Sequence, residues 1–171
     1  MSKDALVIIN TRRSTRKFTP DPVSDRDIHD LLEAGMNAPS AINEQAWQFV
    51  VLSGAVLEEY LKINPNTPKG SPAAILVCQD LGAEKAPGYA VQDCAAATQN
   101  ILLAAHVKEL GAVWTTVFPD KAAAVRSLLG LPGNVVPFAC VPVGRPAQSG
   151  AKAAGSRFDA KKVHLQGWGK R

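Results

Sequence analysis

Between Gly88 and Leu110, Val91, Cys94, Ala95, Thr98, Ile101, Leu102 and Ala105 recur at helical spacing, and Gly111 stands where a left-handed residue would close the run. This is the longest helical pattern in the chain, and it predicts a central helix around which the other elements pack. Its many alanines would let a second helix, or a second chain, approach closely. A chain of 171 residues supports one hydrophobic core rather than two, so residues 1–171 are expected to form a single domain.

Around that helix, the elements alternate in type. Asp4 is placed to cap a short helix carrying Leu6, Ile8 and Ile9. After the breaker Pro20-Asp21-Pro22, Ser24-x-x-Asp27 has the form of a capping box, and Ile28, Leu31 and Leu32 give an apolar face, predicting a helix over 24–35. The polar, broken stretch Asn37 to Asn43 reads as a loop delivering the chain into a strand over Trp47 to Leu52. Ser53 is placed to cap a helix through Leu61, which Asn64-Pro65-Asn66-Thr67-Pro68 terminates. Ala73 to Gln79 reads as a buried strand and Ala112 to Val117 as another. Asp120 is positioned to cap a helix ending at Gly130, and Val136 to Val143 forms a last strand interrupted by Pro137 and Pro142. Those prolines and the uneven connections argue against a doubly wound parallel sheet, so the expected class is α+β, a mixed central sheet flanked by helices. Beyond Arg145 the pattern dissolves, yet Phe158, Val163, Leu165 and Trp168 remain, which predicts that the tail docks on a second subunit.

Composition narrows the function. The chain is 46% hydrophobic and 20% charged, the profile of an ordinary globular domain. Its longest apolar run, Ala73 to Cys78, is far too short for a membrane span, and no secretory leader is visible at Met1 to Asp4, so a cytoplasmic location is expected. Cys78, Cys94 and Cys140 have neither disulfide nor zinc spacing and are expected in the core; no metal site is indicated around His29, His106 or His164. Rossmann, P-loop and nucleophile-elbow signatures are all missing. The net charge of +4 is uneven: residues 1–85 sum to −2, residues 86–145 to +1 and residues 146–171 to +5. A second concentration, Arg12-Arg13-Ser14-Thr15-Arg16-Lys17, lies near the other terminus. The two basic ends could form separate nucleic-acid patches or fold together around one small phosphate.

Two segments carry the remaining chemistry: Arg12-Arg13-Ser14-x-Arg16-x-Phe18 and Ala38-Pro39-Ser40-x-x-Asn43-x-Gln45-x-Trp47. On its residues alone, the first fits either an anion site, through planar guanidinium forks and a hydroxyl, or a solvated basic turn. The second offers short polar groups able to hydrogen-bond a heteroaromatic edge.

Together they resemble the nitroreductase family of FMN-dependent oxidoreductases. The resemblance extends through the strand opening at Pro72, the Gln92 to Leu110 helix, Gly111-Ala112-Val113-Trp114, Gly144 to Pro146, and Arg157-Phe158-x-x-Lys161-Lys162-Val163-His164. It implies the nitroreductase fold, and it implies that Arg12, Ser14 and Arg157, with Arg13 beside them, hold the FMN phosphate and ribityl chain. Arg16 would then lie near the flavin pyrimidine. Pro39, Ser40, Ala41 and Asn43, with Gln45, would form the loop that reaches the flavin of the partner subunit, while Trp114, Thr115, Thr116 and Val117 would face N5 and O4 through main-chain N–H groups. Ala46 departs from the family pattern, which usually has proline there. The resemblance also offers residues 64–69 as a further contact to the pyrimidine, without a residue-by-residue match, and they are left outside the site. The implied function is a homodimeric oxidoreductase that takes hydride from NADH or NADPH onto FMN and reduces a small acceptor such as a nitroaromatic or quinone, with no obligatory catalytic side chain. The rivals are a flavin-binding protein without efficient NAD(P)H turnover and a small nucleic-acid-binding protein. The latter is disfavoured because only Phe18 and Phe158 interleave with the basic residues.

Overall fold

A computed structural model describes residues 4–148 and 157–170. Strand β2 (Ala73–Asp80) pairs with β1 (Trp47–Ser53) on one side and β5 (Val135–Gly144) on the other, and both pairings are antiparallel. Beyond β5 come two short pieces, β3 (Gly111–Ala112) and β4 (Thr115–Thr116). A parallel bridge from Ser14 to Ala112 makes the sheet mixed.

The alternation of side chains along a strand explains the layering. From β2, Ala73, Ile75 and Val77 join a core with Leu31 of α2 (Asp25–Met36) and Cys94, Ala97, Ile101 and Leu102 of α4 (Ala90–Val107). Ala74, Leu76 and Cys78 point the other way, into a core with Leu57, Tyr60 and Leu61 of α3 (Gly54–Ile63) and Val125 of α5 (Ala122–Leu129). Helices therefore cover both faces, and each buried Leu or Ile contributes on the order of 1.5–3 kcal/mol. The remaining helix, α1 (Ala5–Thr11), buries only Ile8; Leu6 is 67% exposed and Ile9 53%.

Several local expectations change. The pairings Gly111 with Gly144 and Thr115 with Cys140 share one register, so β3 and β4 are a single edge strand interrupted at Val113 and Trp114. Opposite the gap lies Pro142, which has no N–H to donate. Helix α4 ends at Val107 rather than at Leu110, and Glu109 (φ 60°), not Gly111, takes the left-handed conformation. Ser53 precedes α3 without a side-chain cap because it is still paired as the last residue of β1. Asp120 lies in a 3-10 turn, Pro119–Lys121, with its carboxylate 3.0 Å from the Lys121 ammonium, so it does not cap α5.

Candidate functional site

The N-terminal basic segment leaves α1 at Arg12, whose N–H still donates to Ile8 O while its backbone turns extended (φ −53°, ψ 135°). It then runs along the edge of the sheet. Thr15 N donates to Ala112 O at 3.0 Å, Thr19 N to Arg145 O at 2.9 Å, and Ala147 N to Lys17 O at 3.0 Å. This close approach requires glycine. A Cβ on Gly111 would stand 2.5 Å from the Thr15 side chain, and one on its sheet partner Gly144 would stand 2.6 Å from Pro72.

The stitching brings the two basic ends of the chain together. Partial burial holds the Arg12 guanidinium below its ordinary pKa, and the positive charges of Arg157 and then Arg13 push it the same way. Among the described residues, none of Arg12, Arg16 and Arg157 forms an ion pair with a carboxylate. Arg13 is partly committed, donating through one terminal nitrogen to Asn10 O (3.1 Å) and Arg12 O (2.6 Å) at the end of α1. Ser14 and Arg16 are exposed. Clustered guanidiniums without a counter-ion favour a group of opposite charge, and the fork geometry suits phosphate oxygens.

On the edge strand, Trp114 packs edge-on against Phe138, with centroids 5.6 Å apart. The Thr115 hydroxyl donates to Cys140 O at 2.8 Å and Val117 is buried, so both side chains serve the interior while Thr116 is exposed. Three residues from the 64–69 stretch, left outside the expected site, hold this strand: Asn64 Nδ2 and Asn66 Nδ2 both donate to Thr116 O, at 3.1 and 2.8 Å, and Thr67 Oγ1 lies 3.1 Å from Thr115 Oγ1. Asn64 also donates to the hydroxyl of Tyr60, whose burial drives its phenol well above the ordinary pKa. The polar, proline-bounded stretch 64–68 was their only sequence signal, and it reads equally as a helix terminator.

The loop carrying Pro39, Ser40, Ala41, Asn43 and Gln45 lies elsewhere. Ala41 N donates to Asp93 Oδ1 at 3.0 Å in the first turn of α4, whereas Thr11 Oγ1, beside Arg12, meets His106 Nε2 at 2.9 Å in the last. With 18 residues, α4 is ~27 Å long. Within one chain the structure therefore groups Arg12, Arg13 and Arg157 and sets Ser14 against the edge strand, but it leaves the 39–45 loop at the opposite end of the central helix. That loop is strained: Ile42, Asn43 and Gln45 have φ of 44°, 56° and 53°, a left-handed conformation that costs Ile42 and Gln45 roughly 1–2 kcal/mol each and is easier for Asn43.

The three cysteines are buried and free, and burial pushes each thiol up to about 12. At the surface of α2, His29, Asp30 and Glu33 bring ligand atoms within 4.8 Å of one another, a grouping not singled out from the sequence.

Taken together, fold and site define an α/β/α sandwich with a cationic cluster suited to a phosphate group. The profile of the nitroreductase family matches residues 9–74 and 58–145. A protein from Methanothermobacter thermautotrophicus, provisionally named NADH dehydrogenase/NAD(P)H nitroreductase, is 43% identical over 96% of this chain and 88% of its own length. A solved structure from Parabacteroides distasonis with the same provisional name is 34% identical, covers 98% of this chain and 100% of its own, and superposes with a TM-score of 0.88. A nitroreductase-like structure from Desulfovibrio desulfuricans in complex with FMN is 33% identical over 92% of this chain and 94% of its own, with a TM-score of 0.82. The chain belongs to the nitroreductase family and has its fold. Among the described residues, no helix is long and apolar enough to cross a membrane.

Proposed function

We propose that this protein is an NAD(P)H-dependent FMN oxidoreductase that works as a homodimer, with each flavin held between two protomers and a nitroaromatic or quinone as acceptor. The observation that carries the reading is that Arg157, from the other end of the chain, and the neighbouring Arg13 both act on the Arg12 guanidinium, three guanidiniums with no carboxylate partner among the described residues. This donor set fits a terminal monophosphate. In that role Arg12, Ser14 and Arg157 hold the phosphate and ribityl chain, and Arg16 supplies positive charge near the pyrimidine. Of the main-chain N–H groups given this role, that of Val117 already donates to Phe138 O at 3.4 Å, while the strand at Thr116 is steadied by Asn64 and Asn66, which both donate to Thr116 O. When bound, FMN supplies hydride acceptance and donation; the chain supplies position and electrostatics.

The separation of the 39–45 loop from Arg12 along α4 supports a two-protomer site, because a loop at the far end of a ~27 Å helix meets the basic cluster of a neighbouring copy more readily than its own. Apolar surface is available for that neighbour. Leu6, Val7 and Ile9 on α1 and Val91 and Val107 on α4 are exposed, and Ala95 and Leu103 are half-exposed. In the tail, Trp168 stacks on His164 at 4.2 Å yet remains 91% exposed, which suits docking on the second subunit.

The test is direct. The purified protein should be yellow, acid precipitation should release FMN rather than FAD, and NADH or NADPH should be oxidised in the steady state with a quinone acceptor. A colourless protein that cannot be loaded with FMN overturns the reading.

A further inference from the structure

Residues 40–45 hold three left-handed, non-glycine conformations within four positions, Ile42, Asn43 and Gln45. Such a loop persists only where its surroundings over-determine it. Some restraints are internal: Gln45 N donates to Ser40 Oγ at 3.0 Å, and Glu44 N to Ala41 O at 2.9 Å. The external ones are two carboxyl groups. Asp93 Oδ1 of α4 accepts from Ala41 N, and Glu44 Oε2 accepts from Lys85 N at 2.6 Å and Ala86 N at 2.7 Å. Each group thus uses one oxygen to tie the loop to a neighbouring segment.

Their second oxygens, Glu44 Oε1 and Asp93 Oδ2, are closed off from water and have no hydrogen-bond donor among the described residues. Glu44 is 7% exposed and Asp93 4%. We propose that Glu44 and Asp93 share one proton between Oε1 and Oδ2, and that this carboxylic acid–carboxylate bond is the clamp fixing the 40–45 loop to the first turn of α4. Two buried carboxylates side by side repel each other and leave both oxygens unpaired, whereas one proton removes a charge and makes a hydrogen bond.

The surroundings point the same way. Burial is the largest influence on the Asp93 carboxyl and raises its pKa; the Ala41 N–H opposes the shift, and Glu44, within hydrogen-bonding reach, and Glu84 add to it. Glu84 spends its own Oε1 on Gly88 N and Ala90 N, and Cys94, next to Asp93, stays a thiol. Lys85 reaches the pair through its main-chain N–H. A raised folded pKa means that the clamp is complete at low pH and is lost as pH rises through the folded value, after the unfolded chain has already ionised near ~4. Glu44 and Asp93 are thus positioning residues for Asn43 and Gln45; that functional meaning rests on the flavin-facing role proposed above for this loop, while the shared proton does not.

Carboxamides test the arrangement, because the oxygen of each amide must still accept the main-chain N–H and its NH2 must then face the partner. Asp93→Asn donates permanently to Glu44 Oε1, and Glu44→Gln donates to Asp93 Oδ2. The double variant sets two donors against each other. We would follow hydrogen exchange at the Ala41 and Gln45 amides by NMR, corrected for intrinsic pH dependence, in flavin-free and FMN-loaded protein. Protection in the natural protein should fall about tenfold or more as pH rises, each single variant should keep it flat, and the double variant should lose it at every pH. Singles that lose as much as the double, a double as protected as the singles, or wild-type protection independent of pH would each overturn the clamp. If the double variant does not fold, carbon-13 titration of the Asp93 carboxyl carbon decides: a titration above the ordinary range that Glu44→Gln brings down supports the shared proton, and an ordinary titration that Glu44→Gln leaves in place refutes it. The flavin-free arm separates this inference from the functional one, since a clamp can be present in a protein that fails to bind FMN, and the reverse.

Discussion

Arg12→Ala should act in opposite directions on binding and on stability. In the flavin-free protein the Arg12 charge is unfavourable, because it is partly buried and faces Arg157 and Arg13. Its structural contribution is made by the main chain, through the N–H that donates to Ile8 O at 3.1 Å, and truncation of the side chain leaves that bond in place. Removing the guanidinium therefore relieves repulsion, and the melting temperature of flavin-free protein should stay level or rise. A bound phosphate reverses the balance. Charge-assisted hydrogen bonds contribute about 1.5–3 kcal/mol, and at ~1.4 kcal/mol per decade their loss should weaken FMN binding by ~12- to ~140-fold. Flavin fluorescence quenching on titration with flavin-free protein measures the first effect and differential scanning fluorimetry the second. Raising the salt concentration should narrow the gap between variant and natural protein. Unchanged FMN affinity, or a flavin-free variant destabilised by more than ~1 kcal/mol, would refute the reasoning and make Arg12 a structural residue.

Asn64→Ala removes fully buried donors to Tyr60 Oη, Thr67 Oγ1 and Thr116 O; a loss of roughly 2–4 kcal/mol is expected from urea unfolding, and less than ~1 kcal/mol would show that the network is dispensable. Replacing Cys78, Cys94 and Cys140 together by Ala should lower stability through lost packing while FMN content and NAD(P)H oxidation per folded molecule stay intact. Asp80 accepts from Gln48 Nε2, Asn134 Nδ2 and Gly82 N, and these bonds, led by that from Gln48, hold its carboxyl below the usual range. Its contribution is present above the unfolded pKa of ~4 and lost as pH falls through the folded value, so Asp80→Ala should cost about 1 kcal/mol or more at neutral pH and almost nothing in strong acid. For the two-protomer site, where limiting FMN leaves the Arg12→Ala and Asn43→Ala homodimers each without activity, the isolated mixed dimer should recover about half of wild-type activity if its sites act independently. A mixed dimer as inactive as its parents would mean that both residues come from one chain.

Elements governed by strong periodicity were legible in the sequence. Ala73 to Gln79 read as a buried strand, and the structure buries Ala73 to Cys78 between helices on the two faces of the sheet. Ser24-x-x-Asp27 read as a helix start, and Ser24 Oγ accepts from Asp27 N at 3.1 Å. Boundaries set by tertiary contact were not. Gly111 looks like a helix terminator, but its missing Cβ is needed for the approach of Thr15, so Glu109 takes the left-handed turn instead. At the site, the basic residues were readable because charge clusters in sequence. Asn64, Asn66 and Thr67 were not, since their partners Thr115 and Thr116 lie some 50 positions further along the chain. Glu44 and Asp93 lie far apart in the sequence, and only the fold buries both.

The distribution of the site has a thermodynamic consequence. If Arg12 and Arg157 of one protomer and Asn43 of its partner bind the same flavin, neither protomer alone presents a complete site, and cofactor binding and dimerisation become linked equilibria. Linkage is reciprocal: whatever factor dimerisation adds to FMN affinity, FMN must add to dimer affinity. Diluting flavin-free protein should dissociate it at a concentration where FMN-loaded protein stays dimeric, and analytical ultracentrifugation of the two forms reads the difference. Equal dissociation constants would mean that FMN touches one protomer only, which would separate the basic cluster from the 39–45 loop and confine the site to the Arg12 end of α4.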